Sequence, residues 1–304
     1  MFAVTILGNN SAIPMHDRHP TAQVVTFEEM GFLIDCGEGT QIQMNKYKIR
    51  RNRIDHIFIS HLHGDHYFGL PGLLNSYSLT GRTEDLHLYA PPDLEIVLHK
   101  IFEISDTELS YTLHFHPLLQ TGVLVDEKKL QVECFEVAHR IPCWGFLFRE
   151  KPKPRKILAE IAKEKSIPAS FYGQLKQGAD YKRADGVLIK NSEVTTDPTP
   201  QRSYAYCADT IYLPALSKII DQVNLLYHET TYLNDLKEKA EARYHSTSEQ
   251  AANLALDANV QRLIVGHFSS KYSDLDPFLD ETRRIFPNTD LALEGVTYLI
   301  QTKK

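Results

Sequence analysis

Short apolar runs of four to eight residues recur along the chain, each closed by turn-forming or polar residues. Residues 3–7, 24–27 and 31–35 read as strands near the start, and residues 56–60 read as a fully buried one. Segments 86–90, 130–137, 145–148 and 203–207 continue the series. Four longer stretches, 92–104, 213–221, 248–258 and 275–286, carry the i, i+3, i+4 apolar spacing of helices. Ser246-Thr247-Ser248 ahead of Glu249 and Gln250 supplies the capping residues that open the third of these. Strand and helix signals alternate, which predicts an α/β fold with strands presenting loops at their C-terminal ends. There is no short internal repeat and no low-complexity segment. The compositional break lies at 150–200, with Lys151-Pro152-Lys153-Pro154-Arg155-Lys156 at its start and Asp197-Pro198-Thr199-Pro200 near its end. It predicts an arm inserted into a single domain spanning 1–304, too short to build a core of its own.

Composition narrows the class. Of 304 residues, 42% are hydrophobic and 24% charged, the balance of a soluble globular protein rather than a disordered one. No stretch approaches 18 consecutive apolar residues, which excludes a membrane-spanning helix and a membrane partner. The first eight residues have no basic region and read as a strand rather than a signal peptide. Cys36, Cys134, Cys143 and Cys207 are scattered and form no CxxC pair, so a reduced cytoplasmic setting is expected. The net charge of −6 conceals an asymmetry. Residues 150–190 hold ten Lys/Arg against five Asp/Glu, a net of +5, which leaves −11 on the remainder. A basic segment on an acidic body suggests a local anionic contact, and a merely solvated basic hairpin is the plain alternative.

The chemistry concentrates at His61-Leu62-His63-Gly64-Asp65-His66, directly after the apolar Ile57-Phe58-Ile59-Ser60. Three imidazoles and a carboxylate within six residues cannot all be satisfied core groups. His61 and His63 alternate off one extended segment, so both rings can reach one cation. Asp65 and His66 fall on the following turn, offset enough to hold a second. Nitrogen and carboxylate donors without thiolate suit zinc, with manganese or iron as alternatives. Gly64 is expected there because the turn must fold back tightly. Further ligands must come from other loops. His139, Asp209 and His267 each end a strand-like apolar run, the position from which strands present site residues.

These residues resemble the metallo-β-lactamase fold and, within it, the ribonuclease Z family of tRNA 3′-end endonucleases. The resemblance runs nearly end to end. It includes Leu7-Gly8 with Ser11-Ala12, Asp35-Cys36-Gly37-Glu38-Gly39-Thr40-Gln41 and the metal motif. It continues through Phe68-Gly69-Leu70-Pro71-Gly72-Leu73-Leu74, Ala208-Asp209-Thr210, and Leu225-Leu226-Tyr227-His228-Glu229-Thr230-Thr231-Tyr232. Tyr244-His245-Ser246-Thr247 and Gly266-His267-Phe268-Ser269-Ser270-Lys271-Tyr272 complete it. HxHxDH specifies the superfamily, and the FGLPGLL and HST elements point to the family.

The resemblance implies a four-layer αβ/βα sandwich with a flexible inserted arm. It implies that His61, His63 and His139 bind one zinc, that Asp65, His66 and His267 bind a second, and that Asp209 bridges them. Asp65 would also accept the proton of the attacking water, and His245 would protonate the leaving oxygen with Glu229 orienting it. The implied partners are precursor tRNA and a second copy of the chain, one subunit's arm holding the tRNA cleaved by the other. The chain departs from the family at Asn9-Asn10, Ala208, Gly266 and Lys271, and at the arm tip, where Ile167-Pro168 precedes Ala169-Ser170-Phe171-Tyr172-Gly173. Two other functions are weighed against this one: a hydrolase of a small phosphodiester, sulfate ester or β-lactam, and an RNA-binding subunit without catalysis. The basic insertion argues against the first, and the filled ligand positions argue against the second.

Overall fold

The structure is a computed structural model and describes residues 1–302. Fourteen strands build two seven-stranded mixed sheets. The first half of the chain contributes β1 (Phe2–Gly8), β2 (Ala22–Phe27), β3 (Met30–Ile34), β4 (Ile54–Phe58), β5 (Leu86–Ala90) and β6 (Leu113–Pro117). The second sheet holds β7 (Gly122–Asp126), β8 (Leu130–Val137), β9 (Cys143–Glu150), β10 (Ser203–Cys207), β11 (Leu225–Glu229), β12 (Leu263–Gly266) and β13 (Thr289–Leu291). The last strand, β14 (Thr297–Leu299), returns to pair antiparallel with β1. The first sheet runs β14-β1-β2-β3-β4-β5-β6, and the second β13-β12-β11-β10-β9-β8-β7. Strands β3 to β6 are mutually parallel, as are β10 to β13.

The inner strands β3, β10 and β12 of the two parallel blocks read as apolar runs because both of their faces are covered, so neither face selects polar residues. On the outer face of the first sheet, Leu7, Val24, Leu33, Ile57 and Leu88 pack against helices α1 (Thr40–Lys46), α3 (Leu70–Leu79) and α4 (Asp93–Ile104). Between α1 and α3 lies α2 (Gly64–Tyr67), a single turn. Between the sheets the core is aromatic. Phe32 meets Phe148 at 5.5 Å, Phe58 meets Phe146 at 5.2 Å, and Phe148 meets Tyr204 at 6.1 Å between centroids. Helices α5 (Ser248–Asp257) and α6 (Asp276–Ile285) pack on each other and over β11 to β13. The result is the four-layer αβ/βα sandwich.

Expected and observed elements agree closely for buried strands; 86–90, 130–137 and 203–207 match residue for residue. The stretch 213–221 differs, holding one 3₁₀ turn at Pro214–Lys218. Pro214 stands at its start, and the chain must re-enter the sheet at β11 only seven residues after Lys218. The capping residues ahead of α5 behave as expected: Thr247 is the N-cap and forms a capping box with Gln250. No helix among the described residues is long and apolar enough to cross a membrane.

The chain divides into two compact units. One comprises 1–126, 131–149 and the chain from 202 onward; the other comprises Glu127–Leu130 and Glu150–Gln201. The second contains short helices (Ala159–Glu164, Tyr172–Lys176, Asn191–Val194) and two two-stranded ladders. Contrary to the expectation that this segment is too short for a core, Ala162, Ile167, Leu175, Ile189 and Val194 form a small buried cluster. Asn191 secures it from within, its amide donating to the carbonyls of Leu175 and Ala179. A handful of apolar side chains tied by a buried amide, with two short ladders, can order a short segment without a large sheet.

Candidate metal centre

Four loops leaving the C-terminal ends of strands converge at one end of the sandwich. The segment 61–66 follows β4, His139 follows β8, Asp209 follows β10 and His267 follows β12. They bring together two donor groups: His61, His63, His139 and Asp209 in one, Asp65, His66 and His267 in the other. In the first, His61 Nε2 lies 3.0 Å from His63 Nδ1, which lies 3.1 Å from His139 Nε2. In the second, His66 Nε2 and His267 Nε2 are 3.3 Å apart, with Asp65 Oδ2 at 3.7 and 3.4 Å from them. Asp209 stands between the groups. Its Oδ2 faces His61 at 3.7 Å and His139 at 4.0 Å, and its Oδ1 faces His66 at 3.5 Å and His267 at 3.2 Å. All seven residues expected as ligands are brought together.

The other ring nitrogen of four histidines is occupied by a protein acceptor. His61 Nδ1 donates to Ser60 Oγ at 3.0 Å, and His66 Nδ1 to Asp35 Oδ2 at 2.8 Å. His139 Nδ1 donates to the Tyr244 carbonyl at 2.9 Å, and His267 Nδ1 to Thr231 Oγ1 at 2.9 Å. With each Nδ1 carrying the proton, each Nε2 turns a lone pair toward the centre. Converging lone pairs repel unless a cation lies among them. Asp209 Oδ1 is buried and finds no hydrogen-bond partner, an unmet acceptor that a bridging role between two cations would satisfy. The donor set, the tautomers and the orphaned oxygen therefore fit a metal centre.

Charge follows the same geometry. Burial, with His66 and other imidazoles nearby, holds His61 well below its usual range, and burial with His139 pushes His63 down to about 4. Burial would depress His66 too, but Asp209, Asp35 and Asp65 lift it well above a free imidazole, a demand for positive charge at this point that a cation bound to Nε2 would meet in place of a second proton. The Asp209 carboxylate is buried, yet His267 and His66 hold it far below its normal range.

His245 and Glu229, expected as proton donor and its orienter, sit beside this centre. Glu229 ends β11 and is wholly buried. Its Oε1 meets His245 Nδ1 at 3.1 Å and accepts the Ser246 amide at 2.8 Å. Its Oε2 accepts both the amide and the hydroxyl of Thr231, at 2.9 and 2.8 Å. Burial disfavours charge on His245, but Glu229 and Asp209 raise its pKa above the ordinary imidazole value. Its Nδ1 is engaged by Glu229, which leaves Nε2 free to serve a substrate.

Several supporting residues lay inside recognised motifs without an assigned role. Asp35 accepts from Ser60 N at 2.7 Å, Ser60 Oγ at 2.9 Å and Tyr206 Oη at 2.6 Å, besides His66. The Ala12 amide donates to Asp65 Oδ2 at 2.7 Å. Ala12, Asp35, Tyr244 and His267 all adopt left-handed backbone without being glycine (φ 66°, 55°, 59° and 60°). Such clustering of strained residues is characteristic of functional sites. The signal for Asp35 was present, since it ends an apolar run as the ligands do. Gly64 opens the single-turn α2 between the ligands His63 and Asp65, with no left-handed φ. Glycine is needed because a Cβ there would meet ring carbons of Phe68 at 2.2 and 2.4 Å.

Two stacked mixed sheets with a histidine and aspartate centre at their strand ends define the metallo-β-lactamase fold. A family model described as Anti-Pycsar protein Apyc1 matches residues 2–152. Full-length relatives go further. A ribonuclease Z of Bacteroides fragilis is 41% identical over 297 residues, covering 97% of this chain and 98% of its own. A ribonuclease Z of Synechocystis sp. is 37% identical over 302 residues, covering 97% and 93%. The crystal structure of the short form of human tRNase Z superposes with a TM-score of 0.72 at 26% identity, covering 99% of this chain and all of that one. The chain belongs to the ribonuclease Z family.

Proposed function

We propose that the chain is a zinc-dependent endoribonuclease that removes the 3′ trailer from precursor tRNA by phosphodiester hydrolysis. The tRNA keeps a 3′-hydroxyl and the trailer a 5′-phosphate. The observation that carries this reading is Asp209, one oxygen turned to each of two imidazole groups, in a chain related end to end to ribonuclease Z. In this reading His61, His63 and His139 hold one zinc, and Asp65, His66 and His267 the other, with Asp209 shared. Two such cations, when bound, acidify a water and draw charge from the phosphate oxygens.

The remaining work falls to side chains. Asp65, fixed by the Ala12 amide, takes the water's proton. His245 donates a proton from Nε2 to the departing O3′ of the tRNA. Glu229 holds that ring by Nδ1 and stabilises its charged form. Glu229 in turn is held by three backbone amides, those of Thr210, Thr231 and Ser246, so the pair cannot swing away between turnovers.

Four lysines of the arm, Lys156, Lys163, Lys176 and Lys182, are exposed, which supports a phosphate-binding role for this segment. The reading includes a homodimer in which one subunit's arm holds the tRNA cut by the other, and a cytoplasmic setting supported by four free cysteines. The test is cleavage of a precursor tRNA with a 3′ trailer, abolished by a chelator and restored by zinc. Product carrying a 2′,3′-cyclic phosphate, or activity that survives chelation, would refute it.

A further inference from the structure

Of the chain's 14 histidines, six belong to the metal centre or stand beside it as His245 does. Of the other eight, four gather at the edge of the first sheet: His56 on β4, His87 on β5, and His114 and His116 on β6. The parallel register puts them there, setting His56 opposite His87, His87 opposite His114 and Tyr89 opposite His116. His56, His87 and His114 stack in a column, 5.1 and 4.8 Å between centroids, with His116 at 5.2 Å from His87 in the next row. All four are partly open to solvent. Phe32 continues the first row on β3 and Phe58 the second on β4, so ring packing on this face does not itself need imidazole. The polar atoms are spaced as they are in the metal centre. His87 Nδ1 lies 3.0 Å from His116 Nε2. The pairs His61–His63, His63–His139 and His66–His267 stand at 3.0, 3.1 and 3.3 Å. Two nitrogens on one tetrahedral zinc are about 3.3 Å apart at ordinary bond lengths. On the adjoining ring, His114 Nε2 donates to Asp85 Oδ2 at 2.8 Å, the carboxylate pairing that accompanies ligating histidines. Burial and the neighbouring imidazoles push His56 down to about 4 and hold His87 and His116 below their ordinary range, so these rings keep their lone pairs at neutral pH. His56 Nδ1 is buried without a hydrogen-bond partner.

We infer that His87 Nδ1 and His116 Nε2 form a metal site of their own, separate from the metal centre, which takes an imidazole-seeking divalent cation such as zinc. A hydrogen bond between the two rings satisfies one lone pair and uses one N–H, whereas an ion between them draws on both lone pairs. The ring protons then sit on His87 Nε2 and His116 Nδ1, and water completes the coordination. Nitrogen donors select zinc, nickel or copper over magnesium and calcium, which prefer oxygen. Asp55 and Asp85 act on His87 from nearby and offset the charge of the ion. Two neutral donors hold a cation less tightly than the centre with its shared carboxylate, so this site fills after the centre. Its consequence is mechanical. β6 is the edge of the first sheet and is joined to it through β5 alone. An ion gripping one ring from each strand fastens that edge.

The experiment is equilibrium dialysis of the full chain against zinc, with bound metal counted in wild type, His87→Asn, His116→Asn and His99→Asn, the last removing an exposed histidine of α4 as a control. Wild type and His99→Asn should take up one zinc per chain more than the other two. The affinity for that ion should fall by more than the roughly 10- to 100-fold that losing an outer partner costs, because a ligand itself is gone. Cleavage of precursor tRNA should be the same in all four proteins. Zinc in excess of the centre's needs should raise the thermal midpoint of wild type and His99→Asn and leave the two cluster variants unmoved. His87→Phe, which keeps a ring in the column, repeats the test if asparagine disturbs the strand. Counting the difference between proteins makes the result independent of which metal fills the centre. Equal zinc uptake by all of them would overturn the inference. At the lower count the two rings share only a hydrogen bond, and at the higher the extra ion sits elsewhere on the surface.

Discussion

Asp35→Asn isolates the contribution of one buried carboxylate to the metal centre. Asp35 is fully buried and accepts four hydrogen bonds, one on Oδ1 from the Ser60 amide and three on Oδ2 from Ser60 Oγ, Tyr206 Oη and His66 Nδ1. Asparagine offers one acceptor oxygen. Turning that oxygen to the side with three donors sets its amide against the Ser60 N–H, and a buried donor without a partner costs about 1–3 kcal/mol. The three retained bonds lose their charge assistance, at about 1 kcal/mol each. The expected destabilisation is about 4–6 kcal/mol, measured by urea unfolding of the metal-free protein. His66 also loses the acceptor that fixes its tautomer, so zinc affinity should fall about 10- to 100-fold in a competitive titration with a chromophoric chelator. Ser60→Ala is the graded comparison, leaving the Ser60 amide bonded but removing a hydroxyl that donates to Asp35 and accepts from His61 Nδ1, at about 1–3 kcal/mol. An Asp35→Asn protein within about 1 kcal/mol of wild type, with unchanged zinc affinity, would show that Asp35 does not position His66.

Asp209→Ala should abolish phosphodiesterase activity and sharply reduce bound zinc; full occupancy by metal analysis would refute the shared-ligand arrangement. His245→Ala should keep its metals and lose roughly 10²–10⁴-fold in kcat on precursor tRNA. A much smaller loss is expected on bis(p-nitrophenyl) phosphate, whose leaving group needs no proton, and equal losses would count against the donor role. Replacing Lys163, Lys176 and Lys182 with alanine should weaken precursor tRNA binding and flatten its salt dependence by up to about 0.9 log-log units per lost phosphate contact. Mixing that variant with Asp209→Ala should regain activity if arm and active site act across a dimer, and no regain would oppose the dimer. His56 stacks between Phe32 and His87 with Nδ1 unbonded, and burial with His87 and His116, against Asp55, pushes its pKa down to about 4. The unfolded chain, with an ordinary imidazole near 6.5, therefore takes up the proton first as pH falls. Stability is full above pH ~6.5 and declines toward pH ~4, by about 2 kcal/mol at pH 5. Urea unfolding should show His56→Phe losing about 2 kcal/mol less than wild type between pH 7.5 and 5, and parallel losses would refute it.

The fold was legible wherever burial wrote itself into the local pattern. β10 is buried residue after residue because it is covered on both faces, while β8 alternates apolar residues with Gln131 and Glu133 because one of its faces is partly open, and either pattern is recognisable without context. β6 and β7 escaped for the opposite reason. Leu113-His114-Phe115-His116-Pro117 and Gly122-Val123-Leu124-Val125-Asp126 are edge strands, partly exposed and interrupted by polar residues. Helix α1, with Gln41, Gln43 and Asn45 among its seven residues, carries too little apolar pattern to announce itself. What holds it is tertiary: buried Gln43 donates to the Leu7 carbonyl at 2.9 Å and to Glu294 at 2.6 Å. The second is a contact across 251 positions, and no window of sequence contains it.

The same division runs through the metal centre. Its donors were visible because strand ends are where an α/β sandwich can deliver several loops to one point, and an apolar run stopping at His or Asp marks such an end. The pairing of donor with support was not visible except for Ser60 beside His61, because the other supports tie the donor to a different part of the chain. His139 is oriented by a carbonyl 105 positions away, and Asp35, which orients His66, is itself held by Tyr206 from the other sheet, 171 positions away. These bonds decide which nitrogen carries the proton and therefore whether a histidine is a ligand at all. A chain with the seven donors but without Asp35, Thr231 and the left-handed Tyr244 would show the same motif and present its imidazoles in mixed tautomers. The motif thus names the chemistry, and the long-range acceptors are what make the seven side chains one centre.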